Sequence, residues 1–475
     1  MERLKNIMMV FLACLLVLPT VKSGFDDSFN SRDGDDRYNP AYDYNEDGII
    51  DGFDLAIHVS GADKTVQKPG EWDYRADRVL VKYRPECGQT GLVHELAGIG
   101  VEKPSLINMF VPEYVQVSVP PNKTVEQFLR EIQQLPSVET AQFDYLCYMS
   151  WVPNDPYYSY QWNFGHVGAE NAWLLTNGGK SDVVVAVLDT GIAYEDYGNY
   201  SIAPDLVGTA FTHPYNFIAD TSHANDDEGH GTHVAGTIAQ ATNNGIGVAG
   251  LAYRCTLMPV KVLGSNGVGS SGSLSQGIRW AADKGARIIN MSLGFPIGSD
   301  GGKIVRDAIA YAYYKGVILV AASGNDAGEP WYTGGVSYPA AFGECIAVGA
   351  TRYDKKYTYY SNYGWELTCV APGGDVRYDQ NRDGYPDGIL QQTFAKGNPK
   401  NFGYYFYQGT SMATPHVSAA AALFVSREGG GPDEFLQAIK DTSFDLGPKG
   451  FDKNYGYGLI NIPAIVKMGR GWGAN

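Results

Sequence analysis

Gly409-Thr410-Ser411-Met412-Ala413-Thr414-Pro415-His416-Val417 leads into Ser418-Ala419-Ala420-Ala421-Ala422-Leu423-Phe424-Val425. This run of small and apolar residues predicts a buried helix packed closely on its neighbours. Pro415 is tolerable in the first turn of such a helix, where its missing N–H has no partner to lose. Ser411 then sits at a helix N-terminus, where unpaired backbone N–H groups favour a developing negative charge. That suits a nucleophile whose own N–H helps bind an oxyanion. A serine at a helix start also serves as an N-cap, so the stretch needs partners elsewhere to be read as catalytic.

Those partners are present. A serine hydroxyl needs a base, and the base needs an orienting group. Val183-Val184-Val185-Ala186-Val187-Leu188 is a near-continuous apolar run, as expected of a parallel strand buried on both faces. It ends in Asp189-Thr190-Gly191, so a carboxylate lies at the carboxyl end of a strand, where open α/β sheets place their sites. Gly229-His230-Gly231-Thr232-His233-Val234-Ala235-Gly236-Thr237 puts a histidine at the start of another small-residue helix.

Asp189-Thr190-Gly191, His230-Gly231-Thr232-His233 and Gly409-Thr410-Ser411-Met412-Ala413 resemble the three signature stretches of the subtilisin-like serine proteases, in that family's order Asp, His, Ser. The similarity runs over 151–465. It implies an α/β, subtilisin-like fold with a mostly parallel central sheet flanked by helices. It also implies a serine endopeptidase in which Ser411 attacks, His230 is the base and Asp189 orients it. Asn325, in Ala322-Ser323-Gly324-Asn325-Asp326, matches the family's oxyanion-hole asparagine. Gly267-Val268-Gly269 and Ser292-Leu293-Gly294 resemble the two edges that pair with an extended substrate by strand addition. With Ala322, Ser323, Gly324 and Ser337-Tyr338-Pro339-Ala340 they resemble the walls and floor of the pocket for the P1 side chain. Those walls are neutral, which implies a broad, apolar-leaning preference; Asp326 at the rim could help a basic residue. His233 and His416 read as packing residues.

Outside these motifs the chain divides further. The 475 residues predict more than one domain, and 44% apolar content is enough for a sizeable core. A net charge of -16 argues against nucleic acid and anionic membrane surfaces as partners. Residues 1–23 read as a secretory signal: Arg3 and Lys5, then the apolar Ile7 to Leu18, too short for the ~20 residues a membrane span needs. Residues 24–76 form an acidic linker. Within it Asp43, Asn45, Asp47, Asp51 and Asp54 follow a calcium-loop pattern with Gly48 at the sharp turn. Asp54 stands where glutamate is usual, and the stretch resembles one half of a dockerin module. A solvated acidic loop is the alternative.

Residues 77–150 read as a small α+β unit. Strand Val79–Tyr83, helix Thr90–Gly98, two strands within Asn108–Val119, helix Asn122–Leu135 and strand Val138–Tyr148 make the ferredoxin-like order βαββαβ. Thr124 and Gln127 are spaced as a capping box. A unit of this kind ahead of a subtilisin-like domain resembles the family's intramolecular prosegment, a chaperone and inhibitor until removed; a permanent accessory domain is the alternative. Residues 466–475 are a short tail.

The family resemblance also implies structural calcium. Trp151 to Tyr157 resembles the mature N-terminus of thermitase-like members, where Asp155 would be a ligand. Asp205 matches the second carboxylate. Thr242-Asn243-Asn244-Gly245-Ile246-Gly247-Val248 resembles the calcium loop, with the Asn244 side chain and the carbonyls of Thr242, Ile246 and Val248 as donors. Mixed carboxylate and carbonyl oxygens suit a hard cation. Asp379, Asn381, Asp383 and Asp387 form another Asp/Asn/Asp-Gly pattern, resembling surface calcium loops inserted in some members. Of the cysteines Cys14, Cys87, Cys147, Cys255, Cys345 and Cys369, the last three lie in the expected mature enzyme and allow at most one disulfide. The expectation is a secreted monomer acting on proteins or peptides, with its own prosegment as partner and no membrane association once the signal is removed.

Overall fold

The computed structural model describes residues 74–101, 106–108, 114–145 and 151–469 except 396 and 428, with the backbone of 31–32 and 49–50. Apart from the backbone of Ile49 and Ile50, the Asp43–Asp54 loop lies outside the described residues, as do the signal stretch, Cys14 and Cys147. The chain forms two compact units, Met1–Tyr148 and Met149–Asn475.

In the first unit, β1 (Ser31–Arg32) and β2 (Ile49–Ile50) pair antiparallel. The body is β3 (Tyr74–Tyr83), α1 (Gly88–Gly98), β4 (Leu106–Asn108), β5 (Tyr114–Ser118), α2 (Val125–Ile132) and β6 (Val138–Tyr145). Its sheet has the order β4-β5-β3-β6 with antiparallel pairs. Val79, Val81, Val115 and Val117 put one sheet face against Leu92 and Leu96 of α1 and Phe128 and Ile132 of α2. The capping box forms: Thr124 Oγ1 accepts from the Gln127 N–H at 3.3 Å and Gln127 Oε1 from the Thr124 N–H at 3.1 Å. β3 begins at Tyr74, before the expected boundary at 77, because Tyr74 still pairs with Tyr145 across the sheet.

The second unit is an α/β sandwich. Its elements are α3 (Trp162–His166), α4 (Ala169–Thr176), β7 (Val184–Asp189), β8 (Ala210–Phe211), β9 (Tyr215–Asn216), α5 (His230–Ala239), β10 (Thr256–Lys261), α6 (Ser271–Asp283), β11 (Ile288–Met291), α7 (Lys303–Tyr314), β12 (Ile318–Ala322), β13 (Cys345–Thr351) and β14 (Cys369–Pro372). A hairpin of β15 (Ile389–Phe394) and β16 (Phe402–Tyr407) precedes α8 (Thr410–Ser426), and α9 (Pro432–Thr442) and α10 (Ile462–Met468) end it. The central sheet runs β14-β13-β12-β11-β7-β10-β8, with β9 also on β10, and its pairs are parallel. Every residue of β10, β11, β12 and β13 is buried. Successive side chains alternate between faces, so both faces are covered, which is why these strands are mostly apolar without alternation.

β7 is flanked by β10 on one side and β11 on the other, so the strand order reverses at β7 and opens a crevice at its carboxyl end. Asp189 closes β7, Lys261 lies beside it at the end of β10, and Ser292 follows β11. α8 is buried along its length apart from Ser411, which is half-buried. The helix begins at Thr410, so Pro415 lies inside its second turn and not, as the sequence suggested, in the first. A proline there leaves the carbonyl four residues back, that of Ser411, without its helical donor.

Candidate active site

Asp189 is fully buried at the end of β7. Its Oδ1 accepts the Thr190 N–H at 2.7 Å and lies 2.8 Å from His230 Nδ1. His230 opens α5, and the close approach to β7 depends on glycine. A Cβ on Gly231 would lie 2.1 Å from the Gly191 carbonyl oxygen and 3.1 Å from the Asp189 Cβ. Gly191 itself has φ +106°, a backbone state that side chains resist. Burial would lower the His230 pKa, but the Asp189 charge and hydrogen bond, with Glu228 and Asp226 behind them, hold it above the usual imidazole range.

Ser411 is the second residue of α8. Its hydroxyl donates to the Ser292 carbonyl at 3.1 Å, its one hydrogen bond among the described residues. The Ser292 hydroxyl donates in turn to the Ser411 carbonyl at 2.9 Å. That is the carbonyl Pro415 leaves open, so Ser292 supplies the donor the helix lacks. Ser292 is oriented by Asn290, whose Nδ2 donates to its hydroxyl at 3.0 Å, and Asn290 Oδ1 accepts from Ser418 at 2.8 Å. The loop after β12 brings Asn325 to the same helix start. Asn325 Oδ1 accepts both the Thr410 N–H at 2.9 Å and the Thr410 hydroxyl at 3.0 Å. With its oxygen so engaged, the amide nitrogen of Asn325 is the face left for a ligand.

A groove of 430 Å³ runs past His230. Gly267, Val268 and Gly269 line one edge and Ser292, Leu293 and Gly294 line it too, as expected of two strand edges framing an extended peptide. Thr190 and Glu228 lie beside His230 in its wall. Ala322, Ser323 and Gly324 are not among its lining; they lie at the end of β12 and beyond, where Ser323 is buried. A Cβ on Gly324 would meet Asn362 Nδ2 at 2.3 Å and Ser337 Oγ at 2.6 Å. Asp326 is engaged by Asn362, which donates to its Oδ2 at 2.9 Å and accepts its N–H at 2.7 Å.

The family model described as subtilase family matches residues 180–458. The chain belongs to the subtilase family. Residues 60–144 match the fervidolysin N-terminal prodomain. This subtilase is 35% identical over 338 residues to the thermophilic serine proteinase of Bacillus sp. (strain AK1), covering 71% of this chain and 75% of that protein. It is 40% identical over 290 residues to subtilisin Savinase of Lederbergia lenta, covering 60% and 91%. Among solved structures it resembles the protease from Pseudoalteromonas arctica PAMC 21717, with a TM-score of 0.57 and 31% identity over 67% of this chain and 99% of that one. It is thus a serine protease of family S8 carrying an N-terminal prodomain.

The residues that could hold calcium in this subtilase gather in part. Asp155 and Asp205 are both buried, and the Asp155 charge reaches Asp205. Burial pushes the Asp205 carboxyl up to about 6, against the Val248 N–H and Asn244 amide that bind it; burial likewise raises Asp155. Asp155 Oδ2 accepts the Asn243 N–H at 2.7 Å, while its Oδ1 is buried without a hydrogen-bond partner. Asn244 Nδ2 donates to Asp205 Oδ1 at 3.0 Å and the Val248 N–H to Oδ2 at 2.9 Å. Asn243, Gly245 and Gly247 all have positive φ, which coils the 242–248 loop. Two mutually repelling buried carboxylates, one orphaned oxygen and a coiled loop of carbonyls fit a hard cation. Among the described residues no three acidic, histidine or cysteine side chains form a metal cluster, so Thr242, Ile246 and Val248 carbonyls would complete the shell.

The second expected loop fits less well. Asp379 accepts from Gly384, Asp383 from Tyr385 and from the Asn381 amide, and Asp387 from Gln380, so its polar groups bond within the loop. The Asp387 Oδ1 alone is buried without a partner. Cys255, Cys345 and Cys369 are buried free thiols, so the one disulfide the count allowed does not form. His233 stacks on Tyr407 and His416 bonds the Met412 carbonyl; both are buried, and burial lowers both pKa values, to about 3 and about 4.

Thr410, Asn290, Thr190 and the Ser292 hydroxyl escaped the sequence reading. Each acts through a neighbour's backbone or amide; Thr190 and Thr410 stand inside the signature stretches, but nothing in the sequence shows what their hydroxyls bond.

Proposed function

We propose that this subtilase is a secreted, calcium-stabilised endopeptidase with a Ser411-His230-Asp189 triad that removes its own prosegment. The observation that carries it is the 2.8 Å contact of His230 Nδ1 with Asp189, made in the wall of a peptide-sized groove whose Ser292 holds the Ser411 hydroxyl. A turn about the Ser411 side-chain bond frees the hydroxyl from the Ser292 carbonyl. His230 Nε2 takes its proton as Oγ bonds the scissile carbonyl carbon. Asp189 keeps the Nδ1 proton in place and stabilises the imidazolium. The Asn325 amide and the Ser411 N–H donate to the oxyanion. On collapse, His230 passes the proton to the departing amine; water repeats the sequence to release the acid.

The neutral groove lining at Ser292, Leu293 and Gly294 and the engagement of Asp326 by Asn362 support a broad, apolar-leaning P1 preference. In this reading 1–23 are the signal, 24–76 a linker, 77–150 the inhibitory prosegment, 151–465 the enzyme and 466–475 a tail; the enzyme acts as a monomer on proteins or peptides. Calcium bound by Asp155, Asp205, Asn244 and the loop carbonyls would supply the positive charge that two buried carboxylates require. Asp379, Asn381, Asp383 and Asp387 are a weaker second site, and Asp43 to Asp54 a third. Full-length Ser411→Ala made in a protease-free host should hydrolyse no peptide and keep 77–150 attached by mass spectrometry. Maturation of that variant would refute self-processing, and a wild-type peptide-library profile dominated by P1 arginine would refute the pocket assignment.

A further inference from the structure

Asp226 lies four residues before His230 and is 1% exposed. Its two oxygens accept five hydrogen bonds: from the Thr190 hydroxyl at 2.9 Å, the N–H groups of Glu228 at 3.0 Å, Gly229 at 2.9 Å and Thr232 at 2.9 Å, and the Thr232 hydroxyl at 2.6 Å. Three of these donors are backbone groups that cannot accept. The two hydroxyls donate to it as well. Thr190 Oγ1 already accepts the Gly231 N–H at 2.9 Å, and Thr232 Oγ1 already accepts the Ala193 N–H at 3.0 Å. A protonated carboxyl here would lose one of these five bonds and turn a threonine hydroxyl into its acceptor, so the shell favours the carboxylate. Burial pushes the carboxyl above the usual carboxylate range and outweighs the hydrogen bonds, which hold back part of that rise.

The donors belong to the two elements whose approach makes the catalytic contact. Thr190 is joined to Asp189, and its N–H also bonds Asp189 Oδ1 at 2.7 Å. Glu228, Gly229 and Thr232 belong to the loop and first turn that carry His230. We propose that Asp226 is a positioning residue for the base: a buried carboxylate that clamps the end of β7 to the N-terminus of α5, sets the Asp189–His230 contact and adds a second fixed negative charge behind the imidazole. The proposal rests on His230 being the base.

The other charges that face His230 are Asp189 from β7 and Glu228 from the preceding loop, with Asp226 the remaining contributor. Asp227 is paired at 2.7 Å with the buried Lys261 of β10, whose ammonium also donates to the Thr190 carbonyl. His233, one turn along α5, is kept neutral by burial. Glu228 is half-exposed and screened by water, whereas Asp226 acts through protein. Loss of the Asp226 charge makes the imidazolium harder to form, so the neutral base persists to lower pH.

The test is the pH profile of matured Asp226→Asn against wild type on a peptide substrate. We expect KM within about twofold, kcat about tenfold lower and the acid limb of kcat/KM lower by roughly half a pH unit. Reduced thermal stability with kcat and acid limb both unchanged would make Asp226 a scaffold residue and overturn the proposal. If the asparagine variant fails to mature, Thr232→Val removes one donor at similar volume. It should lower kcat with little change in KM and be rescued by Thr232→Ser; full activity in Thr232→Val would overturn the clamp. His230→Gln keeps the two ideas apart, because turnover retained in that variant sinks the base assignment irrespective of Asp226.

Discussion

Asn325 illustrates how one residue's chemistry is decided by which of its atoms is already occupied. Both donors of Thr410 hold its oxygen, so its nitrogen is the group left to donate to the oxyanion of the proposed mechanism. Asn325→Ala should therefore cost about 10²–10³ in kcat with KM little changed, read from steady-state kinetics. Thr410→Val should give a smaller loss of the same kind, since the amide loses a hydroxyl that fixes its orientation. A loss confined to KM in either variant would place Asn325 in ground-state binding instead. His230 makes the pH prediction. Its pKa is raised in the folded enzyme by Asp189, so the imidazole becomes a free base only above the ordinary imidazole value of 6.5. Activity should rise with pH along a limb centred above that value, and a limb centred below it would show that the imidazolium is not stabilised. The same sign holds for stability: the contribution of this pair is present at low pH and is lost as pH rises through the raised pKa.

At the scale of elements, α8 carries a proline where a helix ordinarily pays for it in a lost hydrogen bond. The Ser292 hydroxyl, from the strand edge after β11, takes up the Ser411 carbonyl that results. This ties the nucleophile's backbone to the substrate groove and makes Ser292 part of both. Ser292→Ala should destabilise by about 1 kcal/mol, because a part-buried carbonyl is left without its donor. Pro415→Ala restores a helical N–H to the same carbonyl, so the double variant should cost less than the sum of the single ones. Denaturant melts in a Ser411→Ala background, which retains the carbonyl and prevents autolysis, measure the cycle. Strict additivity would show that the two residues do not share that acceptor. The β15–β16 hairpin has a comparable part. Thr393 donates to the Gly229 carbonyl at 2.6 Å, bracing the turn ahead of α5, and Gln392 Oε1 accepts the Asp205 N–H at 2.8 Å.

For the whole molecule, calcium should govern lifetime more than chemistry. Asp155, Asp205 and Asn244 come from three segments far apart in sequence, and an ion held by all three would clip the N-terminal segment of the second unit to its body. An ion that binds the folded state alone stabilises it by roughly 4 kcal/mol at a thousandfold excess over Kd. None of the nucleophile, base or oxyanion donors is a proposed ligand, so turnover measured immediately after chelation should be nearly unchanged. Half-life at raised temperature should fall at least about tenfold, as opened chains are cut by neighbouring molecules. Asp205→Ala should reproduce much of that loss without chelator. Thermal inactivation of both proteins with calcium and with EDTA decides it, and equal half-lives in all four conditions would remove the ion from the account.

Several features were legible in the chain by itself because their physics is local. Residues 183–188 read as a strand because their sheet is buried on both faces and no alternation is needed. Thr124 and Gln127 announced a helix start because a capping box spans one turn. Asp189, His230 and Ser411, the proposed triad, stood out in the sequence because each sits at an element's end beside residues small enough to permit close approach. The orienting shell was not legible. Ser292 meets the Ser411 carbonyl across 119 residues, and Thr410 meets Asn325 across 85. The offset of Pro415 into the second turn, the engagement of Asp326 by Asn362 and the unpaired state of Cys255, Cys345 and Cys369 belong to the same class. Tertiary structure alone decided these, because a hydrogen bond between distant segments leaves no period in the sequence, and a polar side chain declares its role only once burial has removed water as its alternative partner.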